Sequence, residues 1–390
     1  MKNMSELRVC MVLRYFFPHF GGVQVQAHRL ALALQAKGVR TFILTSKSKG
    51  TSSRETFQGI PVIRLPVSIF SGVSSILFTF GTIVYLLKER KSFDILHSHQ
   101  AFSSGISVSL VKVLLKKGAL LKITAAGKFS EIRTLNSTIY GKIMLWIMKQ
   151  AFDVFLAVSE EAFQEIKSIG VSDNRIMRLG NGVDLKRFRT PTPEEREKAR
   201  SSLLLDGFLV ALYVGRISKE KGLKFLLCAW KNVCSRLSKP MLVIIGDGPQ
   251  LGQLKALAES LGIHSNVRFE GRRSDVASYY QAADIFVLPS ISEGLSNALL
   301  EALACELPAV ATKVGGNLDL IRDGVNGILV PVGDRSILEK SLVEALHNLN
   351  LRERFRKELR ISRKNLPSLK EVSKKYVLLY KRLYYDYKGR

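Results

Sequence analysis

Residues 284–301 read DIFVLPSISEGLSNALLE. An apolar run ends at Pro289, a short loop holding Gly294 follows, and Ser296 or Asn297 stands where a helix N-cap belongs. The expected order is strand, loop, helix. The helix start would offer free N–H groups and the positive end of a dipole, which suits a phosphate. Glu293 stands in the loop just ahead of it and Glu301 lies in the helix. Two carboxylates are ill suited to neutralising a phosphate. They are well suited to accepting hydrogen bonds from hydroxyls, each worth about 1.5–3 kcal/mol to an ionised acceptor. The spacing by itself equally allows two solvated glutamates.

The same order recurs on both sides of this stretch. Strands are expected at 8–14, 41–45, 62–65, 94–99, 120–124 and 153–159. A second series is expected at 209–216, 241–246, 267–270, 284–289, 309–312 and 327–330. Helical patterns fall between most of them, among them 23–37, 223–236 and 250–261. Short apolar strands alternating with helices imply βαβ units and mainly parallel sheets. A polar, charged run with two prolines, Asp184–Ser202, separates the two series. The reading is therefore α/β with two Rossmann-like, doubly wound domains, at 1–186 and 187–365. A basic, tyrosine-rich helical tail, 366–390, is expected to pack back on the first domain. Two open sheets place ligand-binding loops at strand carboxyl ends, and a cleft between the domains is the natural site.

Two further motifs fit such loops. Val214–Gly222 (VGRISKEKG) puts Arg216 and Lys221 just past a strand, a planar fork and a point charge suited to a diphosphate. A solvated basic turn explains it as well. Pro18–Gly22 (PHFGG) lies between the first strand and its helix, where paired glycines permit close backbone approach. No GxGxxG is present, which disfavours a dehydrogenase-type site.

Composition narrows the remaining classes. The 390 residues carry a net charge of +26, spread over both halves, so nucleic acid, anionic lipid and phosphorylated substrates are candidate partners. No zinc-finger spacing or RNA-binding aromatic signature accompanies the charge. The four cysteines, Cys10, Cys228, Cys234 and Cys305, form no CxxC pair and read as buried thiols in a reducing compartment. No cleavable leader is evident at the start, and a cytoplasmic location is expected. Ser68–Leu87 is uncharged and about as long as a membrane span, but its Ser, Thr and Gly content favours a buried helix or one lying on a membrane surface.

Together Glu293 with Glu301, Gly215-Arg216 with Lys221-Gly222, Gly246-Asp247-Gly248-Pro249, Asn181-Gly182-Val183-Asp184 with Phe188, and Gly315-Gly316 with Gly324 and Gly327 resemble the GT-B retaining glycosyltransferases of family 4. The resemblance covers nearly the whole chain, densely in 205–335 and loosely in 1–185. It implies a metal-independent hexosyltransferase type of enzyme, without cofactor, that uses a UDP- or GDP-sugar as substrate. The acceptor expected is a surface polysaccharide or lipid-linked saccharide, met at the inner face of the cell membrane. In that scheme Arg216 and Lys221 bind the donor diphosphate, Glu301 takes the ribose hydroxyls, and Glu293 holds the transferred sugar. Backbone of Gly294, Leu295, Ser296 and Asn297 lies near the sugar, that of Gly271 and Arg272 near the base, and Gly21 and Gly22 close over the phosphates. Arg216, Lys221 and Glu293 are the catalytic set, and His99, Lys128 and Asn181 the acceptor side, while His97 and His28 read as structural. Many relatives place a His where this chain has Ala126; either that His is dispensable here, or Lys128, Glu131 or His99 covers part of its work. A nucleotide-sugar epimerase or phosphorylase of the same fold, or a catalytically silent donor-binding subunit, is the alternative.

Overall fold

A computed structural model describes residues 7–66 and 73–388. Ser68–Gly72, the start of the long apolar stretch, lies outside them. The chain divides into two units, residues 1–182 with 369–390, and residues 183–368. The boundaries at 182/183 and 368/369 stand beside the sequence-based 186/187 and 365/366.

In the first unit the strands are β1 (Arg8–Val12), β2 (Arg40–Ser46), β3 (Arg54–Phe57), β4 (Ile60–Leu65), β5 (Ile95–His99), β6 (Gly118–Ile123), β7 (Val154–Ala157) and β8 (Ile176–Arg178). Between them run α1 (Gly22–Gln35), α2 (Val73–Lys88), α3 (Ser103–Leu115), α4 (Glu131–Asn136), α5 (Ile139–Ala151) and α6 (Glu160–Ser168). The sheet order is β3-β4-β2-β1-β5-β6-β7-β8. The pairs are parallel except β3 with β4. Its central strands are buried end to end, as β5 and β6 show, because helices cover both faces.

The second unit opens with α7 (Pro193–Ser202). Thr192 and Glu195 form a reciprocal capping box there and Pro193 takes the first turn. Then come β9 (Leu209–Val214), α8 (Leu223–Arg236), β10 (Pro240–Ile245), α9 (Leu251–Ser260), β11 (Val267–Gly271), α10 (Ala277–Ala282), β12 (Ile285–Leu288), α11 (Asn297–Ala304), β13 (Ala309–Thr312), α12 (Asn317–Leu320), β14 (Gly327–Val330), α13 (Arg335–His347) and α14 (Leu349–Ser362). The parallel sheet has the order β11-β10-β9-β12-β13-β14. Asp284, at the foot of β12, ties α7 to this sheet. Its carboxylate accepts from Arg196 at 2.8 Å and from the Val210 N–H at 2.8 Å.

The final helix, α15 (Leu369–Lys388), belongs to the first unit. Its Tyr376, Tyr380 and Leu383 share a buried core with Val9, Met11, Ile95 and Leu120 and with Ala27, Leu30 and Leu34 of α1. So α1 and α15 cover one face of the sheet. The other face carries α3, whose Gly105 approaches Leu121 and, on α5, Met148. The expected tail, 366–390, is thus a single helix from Leu369, and α14 before it belongs to the other unit, the two parted around Pro367. Of the cysteines, Cys10 and Cys305 are buried, whereas Cys228 and Cys234 are partly exposed, which corrects the reading of four buried thiols.

Candidate active site

Each sheet is doubly wound and has one point where consecutive connections leave in opposite directions. In the second unit β9 is followed outward by β10 and β11 on one side, and β12 begins the other side. The loops after β9 and β12 therefore splay apart at their strand ends and leave a crevice at a topological switch point. They carry the residues singled out from sequence: Gly215, Arg216 and Lys221 after β9, Glu293 to Asn297 after β12.

The loops are held by backbone contacts that admit no side chain. Gly222, at φ +68°, caps α8, and a Cβ there would sit 2.1 Å from the Pro289 carbonyl. Gly315, at φ +45°, approaches so closely that a Cβ would sit 1.7 Å from the Glu293 carbonyl. The Gly316 N–H donates to the Gly294 carbonyl at 2.8 Å. The Glu293 loop is thus clamped from the α8 side and the β13 side. Glycine is required because its neighbours are backbone, which cannot move aside.

On this frame the Lys221 ammonium donates to Glu293 Oε1 at 2.6 Å. The Ser290 hydroxyl donates to the same oxygen at 2.7 Å. Glu293 is buried, 8% exposed, and its Oε2 takes no hydrogen bond among the described residues. The guanidinium of Arg216 is exposed and has no ion-pair partner among the described residues, while its carbonyl is fixed by the Tyr213 hydroxyl at 2.9 Å. Ser296 caps α11 by accepting from the Leu299 N–H at 3.2 Å. Glu301 is buried in that helix, and the Tyr280 hydroxyl lies 3.1 Å from its Oε2 and 3.1 Å from the Ala298 carbonyl. Tyr280 escaped the sequence reading because α10 shows no motif. The Gly271 carbonyl accepts from the Gly246 N–H at 2.8 Å, and Arg272 pairs with Asp247 at 3.0 Å on the surface. One sheet edge thus gathers two cations, two carboxylates and a capped helix start. A diphosphate needs the first, sugar hydroxyls the second.

In the first unit the switch point lies between β1 and β5. Gly21 and Gly22 open α1 after β1, and His99 ends β5. His99 is buried, stacked on His97 with ring centroids 4.2 Å apart. His97 Nδ1 lies 2.8 Å from the Tyr380 hydroxyl of α15, and Nε2 of both histidines is buried without a hydrogen-bond partner. His99 is in register with Lys122, whose ammonium donates to Asn181 at 2.8 Å. Burial depresses Lys122 to about 8 and holds both histidines well below their usual range. The structure brings His99 and Asn181 into one polar cluster, with Lys122, Tyr376 and Tyr380 as members the sequence did not reveal. Lys128 stands on an exposed turn of its own.

Ala126 is fully buried. Glu131 is bound to the backbone around it. Its carboxylate is buried and accepts from the N–H groups of Ala101 (2.5 Å), Thr124 (2.8 Å) and Ala125 (3.1 Å) and from the Thr124 hydroxyl (2.7 Å). It fastens the loop after β5 to the loop after β6. His28 sits among Phe16, Phe17 and Phe57. Among the described residues no helix is long and apolar enough to cross a membrane.

The family of glycosyl transferases group 1 matches residues 194–361, and glycosyltransferase family 4 matches residues 20–187. The chain is 29% identical over 266 residues to the putative glycosyltransferase EpsD of Bacillus subtilis, covering 66% of this chain and 69% of that protein. It is 28% identical over 334 residues to the alpha-monoglucosyldiacylglycerol synthase of Streptococcus pneumoniae, with 83% and 75% covered. The crystal structure of Anabaena HepE in complex with UDP and glucose matches with a TM-score of 0.79, at 16% identity, over 97% of this chain and 100% of that one. With a family match on each half and this likeness of fold, the chain belongs to the family 4, group 1 glycosyltransferases and has the GT-B fold.

Proposed function

We propose that the protein transfers a sugar, with retention at the anomeric carbon and without a metal, from a UDP- or GDP-sugar to an acceptor. The acceptor class is a surface polysaccharide or a lipid-linked saccharide, made in the cytoplasm. The observation that carries this reading is the Lys221–Glu293–Ser290 cluster beside Arg216 and Glu301 at one switch point. HepE, of the same fold, was determined with UDP and glucose, and one relative is a diacylglycerol glycolipid synthase.

In this mechanism the bond from the anomeric carbon to the phosphate oxygen breaks and the diphosphate leaves with its electrons. Arg216 and Lys221 face the charge that develops there, which is electrostatic stabilisation that needs no divalent cation. Glu293 and Glu301 orient hydroxyls through hydrogen bonds. The acceptor hydroxyl attacks from the side of the departing diphosphate and gives its proton to the phosphate oxygen, so no carboxylate nucleophile is required.

A thermal-shift screen with UDP, GDP, ADP and their sugars tests the donor. A ligand that binds only the folded chain raises its melting point. Product analysis with the donor so found and cell-derived acceptors tests transfer and anomeric configuration. No shift with any nucleotide would overturn the reading. Donor binding without nucleotide release would mean instead that this chain, with buried Ala126 in place of a histidine, serves as a silent donor-binding subunit.

A further inference from the structure

Helices α2, α3 and α5 lie side by side on the first unit, α3 between the other two. None contains an Asp or Glu. On α2, Phe78, Thr82 and Leu86 turn inward, yet Ile76, Phe80 and Val84 form a second apolar line that is exposed. A helix apolar on all sides is one that is buried or meets lipid. Among the described residues no helix is long and apolar enough to cross a bilayer, and the exposed line of α2 runs along the surface of the unit. The neighbouring helices continue the line outward. Leu110, Val113 and Leu114 are exposed on α3 at helical spacing, and Ile139, Ile143 and Trp146 on α5. Single exposed apolar residues are ordinary, but three adjacent helices with matching stripes make a patch.

The rim of the patch is basic. Lys88, Arg90 and Lys91 are exposed where α2 ends, Lys116 where α3 ends, and Lys142 beside Ile143 on α5. Two copies of the chain meeting through this face would bring lysine rims together at a net charge of +26 each. An anionic lipid surface complements the same rim, and Tyr140 and Trp146 suit the level of lipid headgroups.

We infer that the α2–α3–α5 face is a monotopic docking surface for an anionic bilayer, with the apolar stripes entering the headgroup region and the lysines and arginines meeting lipid phosphates. The sequence pointed only to Ser68–Leu87; the folding of α3 and α5 beside it makes a face of that helix. The inference goes beyond the transfer reaction and stands or falls separately from it.

The full chain supplies its own probe. Trp146 is 61% exposed, and the other tryptophan of the chain, Trp230, is fully buried. Phosphatidylcholine vesicles with and without phosphatidylglycerol are added, with co-sedimentation and tryptophan emission as readouts. The expected result is binding and a blue shift with the anionic vesicles. The shift should be absent in Trp146→Phe. Phe80→Ser/Trp146→Ser should lower the bound fraction about tenfold, and Lys88→Glu/Lys142→Glu should remove the preference for phosphatidylglycerol. Ile139→Ser/Ile143→Ser serves as an independent second pair on the same face. Equal recovery in the supernatant with both vesicles overturns the inference. So does a doubled mass by light scattering without lipid that Trp146→Ser abolishes, which would make the face a contact between copies. The UDP-induced thermal shift, measured on the same samples, reports on the donor site alone.

Discussion

The ammonium of Lys221 rests 2.6 Å from Glu293 Oε1, so two groups expected to grip different parts of one donor grip each other. The pair is partly buried, and the lysine keeps the carboxylate from standing unpaired in a low-dielectric pocket. A diphosphate entering the loop after β9 must therefore compete with Glu293 for this cation. Glu293→Gln keeps the Ser290 and Lys221 contacts possible but removes the competing charge. The expected outcome is UDP binding that is unchanged or tighter by up to about tenfold, with transfer reduced by about a hundredfold or more. Calorimetry with UDP alongside a transfer assay checks it. A matching loss in both would mean that Glu293 serves the nucleotide rather than the sugar.

Lys221→Ala has the opposite signature. It leaves Glu293 buried beside Ser290 alone and takes a cation from the departing diphosphate. UDP affinity and transfer should both fall, transfer by about a hundredfold to a thousandfold, at the cost of about 1–2 kcal/mol of stability. Near-normal turnover in this variant, with the fold intact by circular dichroism, would remove Lys221 from the site.

Tyr280 touches Glu301, its hydroxyl 3.1 Å from Oε2. As a positioning residue it should affect donor binding more than chemistry. Tyr280→Phe is expected to raise the donor KM about fivefold, the worth of roughly 1 kcal/mol, with kcat within about twofold of the parent. Glu301→Ala should instead reduce transfer by orders of magnitude. Steady-state kinetics with varied donor separates the two.

What the sequence disclosed, and what it withheld, follow from the range of the interactions. Asp284–Glu301 announces its strand, loop and helix because apolar periodicity and capping are local signals, and β13 and β14 run from Ala309 to Thr312 and Gly327 to Val330 as read. β3 was missed because Arg54–Phe57 alternates between exposed and half-buried at a sheet edge and is polar. β8 was missed because it has only three residues. The Lys221–Glu293 contact joins loops 72 residues apart and the His97–Tyr380 contact spans 283, so no spacing rule could reveal either. The role of Glu131 was hidden for another reason: three of its four partners are backbone N–H groups, which any sequence supplies.

Gly315 tests the clamp rather than the chemistry. A methyl group there would meet the Glu293 carbonyl at 1.7 Å, so the loop after β12 or the loop after β13 must move. Gly315→Ala should displace Glu293 while the core of the second unit stays packed. The expected result is transfer lowered by about a hundredfold, a melting point reduced by a few degrees, and native secondary structure. An undisturbed UDP-sugar affinity in this variant would show that the β13 loop is not what holds Glu293.

The histidine cluster makes stability depend on pH with a defined sign. His97 and His99 are fully buried; burial lowers both, and the nearby Lys122 lowers them further. In the unfolded chain each takes up a proton below about pH 6.5, whereas the folded chain keeps them neutral. The unfolded state then binds more protons, so stability falls as pH drops from about 6.5 toward the depressed folded values, by up to about 1.4 kcal/mol per pH unit for each ring. Lys122 acts in a higher window. Its folded value of about 8 lies below the ordinary 10.5, so stability rises between those limits as pH rises. Urea unfolding from pH 5 to 7 should show the acid slope. Its flattening in His99→Asn is the specific result, because the asparagine carries no proton equilibrium while it keeps a polar group beside Lys122. Tyr380→Phe should lower stability across the whole range without changing the slope, since it removes the partner of His97 Nδ1 but leaves the ring buried. An unaltered acid slope in His99→Asn would mean that the proton uptake belongs to other groups.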